Sequence, residues 1–154
     1  MTRLALALLG LLFANLAAAQ RCPPPPGEPT DTPWPDEVEV PSMVVGDSAT
    51  IRLTRAEGEA IRCTIQRRLR RAIPEVPSDL RERVRNRRVG WLWMEGDRPR
   101  IGSFWLQRNG DGALELSDTL HMSAAVRIGL VIRFEERGGR WRLSSVSVRT
   151  DHHR

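Results

Sequence analysis

Lysine and tyrosine are absent from these 154 residues, and phenylalanine occurs three times. All 24 basic residues are therefore arginine, as in proteins of GC-rich genomes. The guanidinium group remains available for bidentate binding of carboxylate and phosphate. With tyrosine missing, the five tryptophans supply most of the aromatic volume. Histidine is scarce: His121 is the only one outside the terminal Asp151-His152-His153. No apolar run reaches the about 20 residues that a membrane-spanning helix needs. The longest, from Leu4 to Leu16, falls short.

That run follows Met1-Thr2-Arg3 and precedes Ala17-Ala18-Ala19. A charged start, an apolar stretch and an A-x-A site form a secretory signal peptide over 1–19, with the mature chain beginning at Gln20. Periplasmic or secreted localisation is expected. A lipoprotein would carry its cysteine directly after the cut. Here Gln20-Arg21 precede Cys22, so a lipid anchor is not expected. Two cysteines in an oxidising compartment predict one disulfide, Cys22–Cys63.

Residues 20–154 suffice for one small domain and an arm. The expected division is an arm over 20–47, a single domain over 48–150 and a disordered tail over 151–154. The arm opens with four prolines, Pro23 to Pro26, and carries Pro29, Pro33, Pro35 and Pro41. Such a stretch favours an extended polyproline II conformation. Its acids are Glu28, Asp31, Asp36, Glu37, Glu39 and Asp47, with no arginine between Cys22 and Ile51.

Ala49, Ile51 and Leu53 alternate with polar residues, which predicts a short strand. Thr54-Arg55-Ala56-Glu57 has the form of a capping box. Ile61, Ile65, Leu69 and Ala72 then recur at helical spacing, and Pro74 ends the pattern. Cys63 falls on the polar side of this helix, so a disulfide there would hold the arm against its outer, basic side. Ser78 can cap a second helix through Arg88, with Leu80 and Val84 inward. Strands are expected at Val89–Glu95, Arg100–Arg108, Ala113–Leu116, Ala124–Glu136 and Arg140–Arg149. Turn signals at 96–99, 109–112 and 137–139 separate them. Leu143 is out of phase with Val146 and Val148, which predicts a bulge near Ser144-Ser145. The sum is α+β: one short strand, two amphipathic helices, and a curved antiparallel meander of about five strands. In outline this order resembles cystatin-like and NTF2-like folds. No motif carries the likeness, so it implies no activity.

Between Arg52 and Arg88 there are twelve arginines against five acids, a net of +7. Arg67, Arg70, Arg71, Arg85 and Arg88 form a candidate surface for anionic lipid, anionic polymer or an acidic protein. The acidic arm is the competing partner. No aromatic residue interleaves with these arginines, so nucleic acid is not an expected ligand. Trp91 and Trp93 share one face of a strand. They belong either to the core or to an aromatic platform for sugars or protein. His121 with Asp118, Ser117 and Ser123 has the residue types of a triad without its spacing. Cys63 with His121 is set aside as a thiol dyad because of the expected disulfide. Asn109-Gly110-Asp111-Gly112 lacks the ligands of a calcium loop. No catalytic residue, cofactor or metal is expected. The leading functional expectation is a non-enzymatic binding module of a bacterial envelope with a protein partner. Binding of anionic envelope lipids or polymers is the second, and a small enzyme using the concave sheet is the third.

Overall fold

The computed structural model describes residues 22–25, 32–71, 73, 74, 76, 78, 81–86, 89–121 and 126–152. The expected signal peptide, the mature start at Gln20, Arg88, Ser123 and His153 lie outside them.

The capping box forms. The Glu57 backbone N–H donates to the Thr54 hydroxyl at 3.3 Å, and the Glu57 carboxylate accepts from the Thr54 N–H at 2.8 Å. Helix α1 (Arg55–Arg70) follows from it. Its last turn carries Arg67, Arg68 and Arg70, which complement the helix dipole. It stops short of Pro74, which disfavours helical geometry before it. Helix α2 (Arg81–Asn86) lies within the expected span from Ser78 to Arg88, of which 79, 80, 87 and 88 fall outside the described residues.

Six strands form one antiparallel sheet in sequence order: β3 (Leu92–Glu95), β4 (Arg98–Ile101), β5 (Phe104–Arg108), β6 (Leu114–His121), β7 (Val126–Glu136) and β8 (Trp141–His152). The α+β class holds, but the meander has six strands where about five were expected. The expected single strand Arg100–Arg108 is two, folded back at Gly102-Ser103. Gly102 has φ +59°, and a Cβ there would lie 2.5 Å from the Gly90 backbone nitrogen. Only glycine fits this corner.

Along β6 and β7, Leu114, Leu116, Leu120, Ile128, Leu130, Ile132 and Phe134 point to one face and are buried. They form one core with Ile61, Ile65 and Leu69 of α1. Each such side chain contributes about 1.5–3 kcal/mol through burial. The β7–β8 register shifts between Arg133 and Phe134, so Ser144 is the extra residue of a bulge. Its hydroxyl donates to the Arg133 carbonyl at 3.2 Å. The phase break at Leu143 arises there.

The stretch 20–47, read from its prolines as an arm, supplies part of the domain. Strand β1 (Glu37–Val40) pairs antiparallel with β2 (Ile51–Thr54), with Val38 opposite Leu53. Trp34, Val38 and Val40 are buried in the common core. Pro35 and Pro41 bound β1 without entering it, and Val38 and Val40 alternate with two glutamates at the strand period. Upstream, residues 32–34 run along the edge of β3. The Met94 N–H donates to the Thr32 carbonyl at 2.8 Å, and the Trp34 N–H to the Leu92 carbonyl at 3.4 Å. That edge of the large sheet is closed by the chain itself.

Candidate binding groove

Cys22 and Cys63 form a disulfide, with Cα atoms 5.4 Å apart. It lays residues 22–25 against α1, with Pro25 and Cys63 buried. Arg62, beside the bridge, is 2% exposed. Its Nε donates to Glu59 at 2.7 Å, and its terminal nitrogens donate to the Pro23 carbonyl at 3.3 and 3.4 Å. A buried guanidinium thus clamps the first described residues. Removing one partner of a buried pair is strongly destabilising. Arg62→Ala should lower the melting temperature by several degrees, whereas Arg70→Ala should leave it nearly unchanged.

Three acids of the 20–47 stretch have specific partners. Glu39 pairs with Arg52 at 3.3 Å, Asp36 with Arg55 at 3.9 Å and Asp47 with Arg108 at 2.6 Å. Among the described residues, none of these three pairs with the expected arginine surface. Among the described residues, Arg67, Arg70, Arg71 and Arg85 are all exposed and have no carboxylate partner. They border different spaces. Arg71 and Arg85 rim a cleft between α1 and α2 of about 10 Å³, too small for a ligand. Arg70 projects from α1. Arg67, whose Nε donates to the Cys63 carbonyl at 3.3 Å, faces a larger space.

That space is a groove of about 690 Å³ between α1 and the start of β8, within the range of ligand sites. Ala56, Ala60 and Thr64 supply small side chains on the helical wall. Trp141 and Leu143 supply apolar surface on the strand wall and pack against the core. Arg67 and Arg140 bring positive charge, Arg142 lines the strand wall between Trp141 and Leu143, and Glu57 is the only acid among the described lining residues. Arg140 and Arg142 are exposed and, like Arg67, have no carboxylate partner among the described residues. The chemistry offered is attraction of an anion above an apolar floor.

The expected aromatic patch is differently used. Trp93, Arg100 and Trp105 are neighbours in register on the sheet face opposite α1. The Arg100 guanidinium lies 5.0 Å from the Trp93 ring centroid and 3.9 Å from that of Trp105. It also donates to Glu95 and to the Ser103 carbonyl, both at 2.6 Å. The Trp93 indole N–H donates to the Gly102 carbonyl at 2.8 Å. Trp91, just before β3, is half-buried. The stack is a cation–π brace across the β3–β5 edge, so Trp93 is neither a core residue nor a bare platform.

His121 ends β6, three positions after Asp118. Asp118 lies on the core face and accepts from the Ser103 hydroxyl at 2.8 Å. Among the described residues no three metal-ligating side chains cluster, and no helix is long and apolar enough to cross a membrane.

The β1–β2 loop is pinned by Asp47. Its carboxylate accepts from the Ala49 N–H at 2.9 Å, the Ser42 hydroxyl at 2.9 Å and Arg108. These bonds, the Ala49 N–H foremost, hold Asp47 below the ordinary carboxylate range. Arg133 and then the Ala113 N–H do the same for Asp111. A depressed carboxyl stabilises the fold above its unfolded value of about 4, and that contribution is lost as pH falls through the folded value. The melting-temperature gap between wild type and Asp47→Asn should therefore be widest at neutral pH and close in acid. A gap that widens in acid would contradict this assignment.

Comparison with protein-family models, with curated proteins and with solved structures finds no match for this chain. The functional reading rests on the geometry above.

Proposed function

We propose that this protein is an exported, non-enzymatic binding module of the cell envelope, and that its working surface is the arginine-lined groove between α1 and β8. One observation carries the reading: Arg67 and Arg140 line an apolar-floored groove and have no carboxylate partner among the described residues, although Glu39, Asp36 and Asp47 pair with Arg52, Arg55 and Arg108. The partner is an acidic protein. Signal-like residues 1–19 and the Cys22–Cys63 bridge support export. Apolar side chains fill the sheet face under α1, which favours binding over catalysis in that concavity. The alternative is an anionic lipid or polymer. The exposed arginines at 70, 71 and 85, which have no carboxylate partner among the described residues, favour it by adding positive charge along the helices.

Arg67→Glu with Arg140→Glu tests the groove. Both side chains are exposed, so stability should change by no more than about 0.5 kcal/mol each. Binding of a polyglutamate peptide should weaken, and its salt dependence should flatten. Phosphatidylglycerol vesicles serve as the parallel probe for the alternative. A folded double variant that binds polyglutamate at wild-type strength would remove the groove from consideration.

A further inference from the structure

The large sheet has two edges, and the chain treats them differently. At β3 the backbone of residues 32–34 supplies hydrogen bonds along a four-residue strand. At the other end, β8 runs for 12 residues and pairs only with β7. Its other backbone edge meets no strand among the described residues. The arginine-lined groove includes Trp141, Arg142 and Leu143 at the start of this strand. On β8 the side chains alternate. Leu143, Val146 and Val148 face the core side, and Arg142, Ser145, Ser147 and Arg149 face the opposite side. Arg142 and Arg149 are exposed, with no carboxylate partner among the described residues.

We propose that β8 accepts an extended acidic segment of a partner polypeptide as an added strand. This rests on the groove reading above and names the form of its ligand. Backbone hydrogen bonds along β8 would supply affinity, and alternate side chains would supply selectivity. Side chains on one face of the added strand enter the space over Leu143, Ala60 and Thr64, so these are apolar. Side chains on the other face stand beside Arg142 and Arg149, so these are acidic, since opposite charges across neighbouring strands attract. The ligand is thus an alternating apolar–acidic segment. Edge arginines also discourage unwanted pairing, and the same charges select which strand is admitted.

The probe is an acetylated, amidated peptide of about eight residues, alternating valine and glutamate. Its partner probe has the same sequence with alternate amides N-methylated on the pairing edge. The first should bind and slow hydrogen exchange at β8 amides over 141–149. The methylated peptide should bind at least about tenfold more weakly, because it cannot form the ladder. Arg142→Gln with Arg149→Gln should weaken the first peptide about tenfold or more with a nearly unchanged melting temperature. Equal binding of both peptides, or no new protection in β8, would overturn strand addition while leaving an acidic partner for the groove. Binding to phosphatidylglycerol vesicles without binding to either peptide would overturn it in favour of lipid. Failure of polyglutamate and both peptides at low salt would remove the groove reading as well.

Discussion

Trp34→Ala should destabilise the protein by about 3–5 kcal/mol, the range for emptying a buried tryptophan site. Trp34 is 1% exposed, and its indole N–H donates to the Trp93 carbonyl at 3.0 Å. Its ring lies on Gly58 of α1, where a Cβ would come within 2.3 Å of a ring carbon. The neighbouring Arg55 guanidinium donates to the Trp34 carbonyl. One side chain thus joins the N-terminal stretch, the helix and the β3 edge. Gly58→Ala should also destabilise. Overpacking costs about 1–3 kcal/mol, against about 1 kcal/mol gained in helix propensity. In the Trp34→Ala background the sign should reverse, because the ring is gone and the propensity gain remains. Denaturant unfolding of the four proteins gives the coupling directly. Two costs that simply add would show that ring and glycine do not meet.

Reduction of the Cys22–Cys63 bridge should remove up to about 4 kcal/mol, the chain-entropy value for closing a loop of this size. The sequence separation is 41 residues. The loss should be local in its structural effect. Residues 22–25 depend on the bridge and on Arg62, whereas Trp34, Val38 and Val40 are held by the core. Reduced protein should therefore keep its hydrogen-exchange protection along β1. The Cys22→Ser with Cys63→Ser variant should match reduced wild type in melting temperature. Loss of β1 protection together with the bridge would show that the whole N-terminal stretch hangs on it.

Local signals were legible in the sequence, and long-range ones were not. The capping box at Thr54, the Ile61–Ile65–Leu69 stripe and the bulge near Ser144 each depend on neighbours along the chain. The division at Gly102 was hidden because Arg100–Arg108 looks like one continuous strand, although the glycine was there to be weighed. Strand β1 was obscured by prolines that flank it, while Val38 and Val40 carried the period-two signal. Arg62 was passed over because of its charge, yet positions 58, 62, 65 and 69 keep helical spacing and lie on one buried stripe. The groove had no local signal at all. It arises because the β7–β8 hairpin brings Arg140 and Trp141 beside Arg67, which only the tertiary arrangement decides. The arginine surface read from composition dispersed for the same reason: neighbours in sequence on α1 point to different surroundings.

The unequal treatment of the two sheet edges limits how copies of this chain can assemble. Open growth of a sheet needs a head and a tail, so that each copy offers one edge and accepts another. Here residues 32–34 occupy the β3 edge, which removes the tail. Edge-to-edge contact through the large sheet is then restricted to β8 against β8. Such a contact is isologous and closes at two copies. A single bound strand of another protein would occupy the same place and prevent even that. The segment of chain around Trp34 therefore acts as an end-stop, allowing the opposite edge to remain available without exposing the protein to filament growth.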